Sequence, residues 1–259
     1  MKITKEKWSL LIAFVFAMTS LVFTSNVKAA QLAFNPKEIQ TDLSLTLTNQ
    51  YVWRGRADNT TKNDICLQPS ITFGYGNAYV NIWQNIDTAN WGKKDDALTE
   101  TDMTVGYGKD IGPYYVEAGY TYYAYDQQKD GQEIYVSGQM AKAFLKPTLT
   151  IYQDFAHYPA TFINLSLYHS VNVYENVRLD LTASGDYLIS GDFEQYPDND
   201  GKHKFNGFYD GLLSASLNIP VTQSISVIPQ ISWCFPITGD AKDLVDNYVY
   251  GAITVDMFF

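Results

Sequence analysis

The amino-acid sequence predicts an all-β protein that folds as a closed antiparallel transmembrane β-barrel of about 12 strands. Three observations predict this fold. Segments of about ten residues alternate apolar and polar side chains. The connections between them alternate between long and short, and the chain ends on a phenylalanine that follows apolar residues at every second position. These features arise separately, so their agreement is stronger than any one of them.

Residues 1–29 are predicted to be a cleaved signal peptide. Lys2, Lys5 and Lys7 form a basic start, and residues 8–23 are an almost uninterrupted apolar run. Val27-Lys28-Ala29 is a suitable cleavage site. A transmembrane anchor is the alternative, but the run is short for one and no second hydrophobic helix follows. Residues 30–41 are then expected to be a short periplasmic lead, and residues 42–259 the barrel.

Composition agrees with a barrel wall. Aromatic residues make up 15% of the chain, with 20 Tyr, and charged residues only 18%. Alternation in a barrel wall mixes lipid-facing apolar residues with polar lumen residues, so the average hydropathy resembles that of a soluble protein. The net charge is −10 and the sequence has no basic patch, which argues against binding of nucleic acid.

The predicted strands follow the alternation of apolar and polar residues. They are approximately 42–54, 64–75, 78–87, 99–110, 113–125, 132–144, 148–157, 161–173, 176–189, 206–219, 223–236 and 247–259. In the first, the apolar set is Leu43, Leu45, Leu47, Tyr51 and Trp53, opposite Ser44, Thr46, Thr48, Gln50 and Arg54. One set is expected to face lipid and the other the lumen.

The connections after odd-numbered strands are mostly long and polar, whereas those after even-numbered strands are tight. The long ones are 55–63, 88–98, 126–131, 190–205 and 237–246, and 157–160 is a short exception. The tight ones are 76–77, 111–112, 145–147, 174–175 and 220–222. Outer-membrane barrels have short periplasmic turns and longer extracellular loops. An even number of strands also places both termini in the periplasm.

The last strand resembles the assembly signal of outer-membrane barrels. Its alternate positions are Gly251, Ile253, Val255, Met257 and Phe259. If this strand pairs with the first, the sheet closes and has no free edge. The alternative is the last strand of a soluble sandwich.

Several short motifs are similar to those of the TorF-type porins, a group of small outer-membrane barrels. The motifs are Tyr51-Val52-Trp53-Arg54-Gly55, Gln68-Pro69-Ser70, Val80-Asn81-Ile82-Trp83 and Pro147-Thr148-Leu149-Thr150, with the aromatic C-terminal strand. Arg56-Ala57-Asp58 differs from the family, which usually has a Ser-Gln pair there. The resemblance implies passive, porin-like transport.

The residues opposite the apolar set are predicted to line the pore. Their charged members are Arg54, Asp64, Asp87, Glu100, Asp102, Glu117, Glu133, Asp154, Arg178, Asp180, Asp186, Asp210 and Asp256. An acid-lined pore attracts cations. Glu117 and Asp180 are expected halfway along their strands, where the pore should be narrowest. Alternatively, Arg54 and Arg178 pair with some of the acids in a plugged interior, because barrels of intermediate size can be filled or open.

Enzymatic function is the third and weakest hypothesis. His169 lies on the lipid-facing set and Ser170 on the other, so they cannot form a dyad. His157, near Asp154, is most simply explained as a residue at a loop edge. His203 follows Asp198-Asn199-Asp200-Gly201, which lacks the later glutamate of a calcium loop. We therefore expect no enzymatic activity, metal or cofactor.

Two cysteines in an exported protein usually form a disulfide. Cys66 and Cys234 are predicted on strands 2 and 11, which are three strands apart across the closing seam. That separation is about 14 Å along the wall, whereas bonded cysteines have Cα atoms within about 7 Å. Both are therefore expected to be free thiols.

The sequence thus predicts an exported barrel of the Gram-negative outer membrane that lets small, cationic or neutral solutes diffuse passively. A plugged barrel that acts in adhesion, binding or envelope structure through its loops is the alternative. The expected partners are outer-membrane lipid, the outer-membrane assembly machinery and small solutes. The oligomeric state is left open.

Overall fold

The computed structural model describes residues 38–57, 65–92, 97–126, 128–198 and 201–259. The predicted signal peptide, most of the lead and Asp64 lie outside these residues. Two short 3₁₀ turns, Thr88–Asn90 and Asp240–Asp243, accompany the strands. No helix in the described part of the chain is long and apolar enough to cross a membrane.

The strands are β1 (Gln40–Thr48), β2 (Val52–Trp53), β3 (Arg56–Ala57), β4 (Cys66–Tyr75), β5 (Ala78–Asp87), β6 (Leu98–Ile111), β7 (Tyr114–Tyr125), β8 (Gly131–Gln139), β9 (Thr148–Asp154), β10 (Ala160–Tyr174), β11 (Val177–Ser190), β12 (Asn206–Pro220), β13 (Ile225–Pro236) and β14 (Tyr248–Phe258). All except β2 and β3 form one closed antiparallel sheet. The predicted closed barrel of 12 strands is therefore confirmed.

Pairing of β1 with β14 closes the barrel. Leu45 lies opposite Val255 and Thr46 opposite Thr254. Beyond the last strand residue, Thr41 and Phe259 exchange two backbone hydrogen bonds, of 3.0 and 2.9 Å. The C-terminal residue therefore takes part directly in the seam, and the sheet has no free edge there.

The outer surface of the barrel is apolar and the inner surface is polar. Each barrel strand exposes at least one large hydrophobic side chain, such as Leu47, Ile82, Met103, Val136, Leu165 and Leu213. The inward side chains between them are polar and buried, as Ser44, Thr46 and Thr150 show. A continuous exposed apolar surface of this kind suits lipid rather than water.

The two ends of the barrel differ in their connections. The chain termini and the connections 76–77, 112–113, 140–147, 175–176 and 221–224 lie at one end, here called the turn end. The connections 49–65, 88–97, 126–130, 155–159, 191–205 and 237–247 lie at the other, the loop end. This confirms the predicted asymmetry of short turns and longer loops.

The connection after β8 is longer than the tight turn predicted at 145–147. β8 ends at Gln139, and residues 140–147 fold back through two turns closed by the amides of Ala143 and Lys146. The carbonyl of Phe144 lies 3.0 Å from Nδ1 of His169 on the outer face of β10. Because Pro147 has no amide hydrogen, it cannot donate a hydrogen bond to a neighbouring strand. This favours a bend over a continued strand at this point.

The first predicted strand is also shorter than expected. β1 ends at Thr48, and residues 49–57 turn into the lumen rather than continuing the wall. Tyr51, predicted to face lipid, is therefore buried inside, at 9% exposure. Trp53 is likewise inside, since it lines the central cavity. Alternation cannot detect this change, because an inward loop of aromatic residues has the same pattern as a strand.

Candidate functional site

A short hairpin inside the lumen carries Arg54, which the sequence predicted at the end of the first strand. β2 and β3 pair with each other, with Val52 opposite Ala57 and Trp53 opposite Arg56. Arg54 and Gly55 between them have φ of 43° and 76°. Two successive positive φ values are the mark of a type I′ hairpin turn, in which glycine is favoured. We call residues 52–57 the Arg54 hairpin.

Gly55 packs the tip of the Arg54 hairpin against β12 and the loop 237–247. A Cβ atom on Gly55 would lie 2.8 Å from Cγ2 of Val245 and 2.9 Å from Cβ of Asp210. Val245 belongs to the loop 237–247 and Asp210 to β12. No larger residue fits at this position without displacement of its neighbours.

Arg54 forms a buried ion pair with the barrel wall. Its Nη1 donates to Oε2 of Glu133 on β8 over 2.7 Å, and the two side chains are 11% and 1% exposed. The hydroxyl of Tyr123 donates to the other oxygen of Glu133 over 3.0 Å. Because both partners are removed from water, removal of one would leave an uncompensated buried charge, which costs more than loss of a surface ion pair.

Three aromatic rings surround the guanidinium of Arg54. Its Cζ lies 4.3 Å from the ring centroid of Trp53, 4.5 Å from that of Tyr152 and 4.3 Å from that of Phe162. Tyr152 is on β9 and Phe162 on β10, so two neighbouring wall strands provide the rings. Cation–π attraction is strengthened where water is excluded, as it is here.

Further carboxyl groups lie within electrostatic range of Arg54. Asp154, Asp186 and Asp210 all interact with its charge. Asp186 also accepts a hydrogen bond of 3.1 Å from the amide of Asn164. Oδ1 of Asp210 is buried and has no hydrogen-bond partner, and the same is true of Oδ1 of Asp102. We call this group of rings and carboxyls around Arg54 the Arg54 chamber.

The Arg54 chamber forms part of a cavity of about 220 Å³ inside the barrel. From the predicted pore-lining set the cavity is lined by Arg54, Asp102, Glu133, Asp186 and Asp210. It also reaches Asp42 and Gln139, which lie close to the turn end. The cavity therefore runs from the Arg54 hairpin toward the end of the barrel that carries the chain termini.

An apolar core fills the lumen beyond the Arg54 chamber, at the loop end. Phe162, Tyr196, Phe205 and Tyr209 form one group of ring contacts, with centroids 5.7 to 6.1 Å apart. Val245, at 2% exposure, joins the same core. Tyr196, Phe205 and Val245 thus turn inward from the loop end and pack on the wall. These buried side chains occupy the lumen at the loop end.

Glu117 lies near the turn end of β7, and not halfway along it as expected from the sequence. It accepts hydrogen bonds of 2.6 Å from the hydroxyls of Tyr79 and Tyr135, whose oxygens are in close contact with each other. Each ring lies over a glycine of the neighbouring strand, Gly106 or Gly119, where a Cβ would lie within 2.4 or 2.5 Å of it. Glu117 is 5% exposed. Its charge is therefore held at the wall by tyrosines.

Asp180, Arg178 and Asp256 also lie near the turn end. Asp180 accepts a hydrogen bond of 2.7 Å from the hydroxyl of Tyr168, and Nη2 of Arg178 is 4.0 Å from its other oxygen. The expected midpoint position of Asp180 is therefore wrong, because β11 begins only at Val177.

The remaining predicted pore-lining acids lie at the loop end. Asp87 is fully buried and accepts a hydrogen bond of 2.9 Å from the amide of Ala89, which caps the first 3₁₀ turn. Asp154 accepts a bond of 3.0 Å from the amide of Ala156. Glu100 is 6% exposed and contacts Asp102. None of these three lines the cavity among the described residues.

Two of the histidines contact backbone carbonyls, and both cysteines are buried. His157 and His169 each hold a backbone carbonyl, of Asp130 and Phe144, at 2.8 and 3.0 Å. Cys66 and Cys234 are both free thiols and buried. Within the described ranges, no three His, Cys, Asp or Glu side chains are arranged to hold a metal ion.

Comparison with known proteins shows similarity in fold. The NanC porin matches with a TM-score of 0.54 and 10% identity, over 84% of this chain and 98% of NanC. The outer membrane channel DcaP of Acinetobacter baumannii matches at 0.43, with 8% identity over 86% and 96% of the two chains. The translocator domain of the autotransporter NalP from Neisseria meningitidis matches at 0.44, with 9% identity over 89% and 91%. No protein-family model and no curated protein matches the sequence.

The NanC match, with a TM-score above 0.5 and 10% identity, shows similarity of fold alone. The chain is therefore a closed barrel of the outer-membrane type, as the sequence predicted.

Sequence reasoning missed the apolar core of the loop end. Its signal was present, because the long connection 190–205 contains three large aromatic residues, Phe193, Tyr196 and Phe205, of which the last two are buried. It also missed the aromatic walls of the Arg54 chamber, since Tyr152 and Phe162 lie on separate strands and their meeting depends on the closed sheet.

Proposed function

We propose that the protein is an outer-membrane channel for passive diffusion of small solutes, with a preference for cations. The observation that carries this proposal is the acid-lined cavity within a closed, lipid-facing barrel. Its acidic lining residues are Asp42, Asp102, Glu133, Asp186 and Asp210, against the single basic residue Arg54. Carboxylates inside a low-dielectric wall are poorly screened, so they attract cations and repel anions.

The loop end sets the limit on conduction. The Arg54 hairpin and the apolar core close that end of the lumen in this conformation, so transport requires that part of this material moves. We therefore propose a channel with a closed resting state and a low open probability. The likeness of fold to the NanC porin is compatible with this proposal. Membership of the TorF-type porins and residence in the outer membrane, with the loop end outside the cell, belong to the same proposal.

Reversal potentials of the reconstituted protein in a potassium chloride gradient test the cation preference. The wild-type protein should pass cations better than anions, and the preference should weaken as salt concentration rises. Asp42→Asn should reduce the preference, because Asp42 lines the cavity close to the turn end. The matched control is Asp198→Asn, in the loop 191–205, which should leave the preference unchanged. Anion selectivity of the wild-type protein would contradict the electrostatic argument.

A plugged barrel that acts through its loops is the second candidate. The observation that favours it is the buried core of Phe162, Tyr196, Phe205, Tyr209 and Val245, which resembles the interior of a soluble domain. A plugged barrel should show no conductance at any voltage, even in variants whose Arg54 hairpin is loosened. A role in adhesion, binding or envelope structure would then be tested on the loops 191–205 and 237–247.

We propose that the protein is not an enzyme. Catalytic hydrolysis needs a base within reach of a nucleophile or a bound water. His157 and His169 instead bond to backbone carbonyls, and Asp180 and Glu117 bond to tyrosine hydroxyls. Assays of phospholipase, deacylase and protease activity on the purified barrel would test this proposal.

A further inference from the structure

We propose that the Arg54 chamber is a recognition site for guanidinium groups, that Arg54 is its internal occupant, and that a solute bearing a guanidinium displaces Arg54 to open the loop end. This inference deepens the proposed function and rests on it for the opening step. The binding step can be tested separately, because it does not require conduction.

The chamber has the chemistry that a planar organic cation requires. The carboxylate of Glu133 receives the guanidinium at 2.7 Å, and the rings of Tyr152 and Phe162 lie within 4.5 Å of its carbon. Carboxylates match the donor geometry of a guanidinium, and aromatic faces stabilise its charge while excluding water. The chain's own side chain therefore shows which chemical group the barrel wall accepts.

The chamber has more carboxyl groups than Arg54 can pair with. Glu133 is paired, but Asp186 and Asp210 also interact with the same guanidinium. Asp210 is 4% exposed, and its Oδ1 has no hydrogen-bond partner. A buried acceptor without a donor is unfavourable, so it adds to the attraction for a second donor-bearing cation. A free cation that enters the cavity therefore finds acceptors that Arg54 does not use.

The Arg54 hairpin is also built to be displaced. β2 and β3 form a two-stranded sheet of their own, and neither pairs with the barrel wall. The guanidinium can therefore leave Glu133 without breaking any hydrogen bond of the barrel ladder. Closure then depends on side-chain contacts of the Arg54 hairpin. Arg54 pairs with Glu133, Trp53 packs on Tyr123 and Phe162, and Val52 joins the apolar core.

Arg54 competes with a free solute as a tethered ligand. A short tether gives an effective local concentration in the millimolar range, so the wild-type site should bind a free guanidinium only weakly. Removal of the tethered group should unmask the intrinsic affinity. This predicts an order: the variant without Arg54 binds a free guanidinium more tightly than the wild-type protein does.

The binding test uses Arg54→Ala in the full barrel in detergent, with methylguanidinium chloride as the probe. Saturable binding by calorimetry is expected, with an affinity at least about tenfold tighter than that of the wild-type protein. The thermal midpoint of the heat-modifiable folded band should rise over the same concentration range. Arg54→Ala with Glu133→Gln should lose at least about tenfold of that affinity, because the neutral amide cannot pair with the cation.

Three controls separate recognition from general effects of charge and folding. Sodium chloride at equal ionic strength should not reproduce the effect. Arg178→Ala, which removes a partly exposed arginine near the turn end, should not create a methylguanidinium site. If Arg54→Ala does not fold, Arg54→Gln, which keeps the side-chain stem without the charge, is measured instead.

The results test the binding step and the opening step separately. Absence of specific methylguanidinium binding by the folded Arg54 variant would overturn the recognition site. Equal binding of tetramethylammonium would overturn its specificity for guanidinium and would leave only an aromatic cage. In planar bilayers, methylguanidinium should raise the open probability of the wild-type protein. Binding without any conductance in any variant would retain the site but refute both the opening step and the proposed channel.

Discussion

Replacement of Gly55 by alanine should destabilise the Arg54 hairpin and raise the open probability of the channel. Gly55 has φ of 76°, and a Cβ atom there would lie 2.8 to 2.9 Å from both methyl groups of Val245 and from Cβ of Asp210. Contacts under 3 Å require that the hairpin or the loop 237–247 moves. Because β2 and β3 do not pair with the wall, the hairpin is the part that can move most easily.

The expected loss of the free energy of unfolding in Gly55→Ala has two contributions. A left-handed backbone conformation costs a residue with a Cβ about 1–2 kcal/mol. Insertion of a methyl group into a packed site costs a further 1–3 kcal/mol or so. The free energy of unfolding should therefore fall by roughly 2–5 kcal/mol in Gly55→Ala, unless the hairpin leaves the lumen and relieves the clash.

Gly76→Ala provides a matched control. Gly76 has φ of 61° in the turn between β4 and β5, and a Cβ there would meet nothing within 4 Å. Gly76→Ala should therefore lose only the backbone contribution to the free energy of unfolding, about 1–2 kcal/mol, and its conductance should be unchanged. The difference between the two variants isolates the steric contact inside the lumen.

Urea-induced unfolding in detergent would measure the free energies, and planar-bilayer recordings the open probability. A smaller loss of stability than expected, combined with more frequent opening, would show that the Arg54 hairpin has been expelled. If Gly55→Ala and Gly76→Ala behave alike in both measurements, the packing of the hairpin against Val245 does not close the lumen, and the reasoning is refuted.

Three further predictions concern topology, assembly and the thiols. A cysteine at Lys202 should react with an impermeant reagent on intact cells, whereas one at Glu175 should not, and the reverse pattern would invert the orientation. Deletion of Phe259 should reduce the heat-modifiable folded band, because this residue exchanges two backbone hydrogen bonds with Thr41 across the seam; an unchanged yield in the outer membrane would argue against that role. Mass spectrometry of the alkylated, non-reduced protein should find Cys66 and Cys234 unlinked, as the structure has them, and a linked peptide would contradict it.

The sequence by itself determined the architecture. Alternation has a period of two, so each strand displays its own inner and outer face without reference to its neighbours. The alternating lengths of the connections can likewise be read from the sequence, without knowledge of which strands are neighbours. The strand number, the closing pair of β1 and β14 and the inward side of acids such as Glu133 and Asp186 could therefore be predicted from the chain alone.

Only the tertiary structure decided what the acids do. Glu117 accepts hydrogen bonds from tyrosines of β5 and β8, Asp87 caps a 3₁₀ turn, and Glu133 pairs with Arg54. The alternation in the sequence nevertheless places all three acids in the same inward-facing set. These differences depend on neighbours brought together by closure of the sheet and on loops that turn inward. Because such contacts join residues far apart in the chain, no local pattern records them, and the Arg54 chamber exists only in the folded barrel.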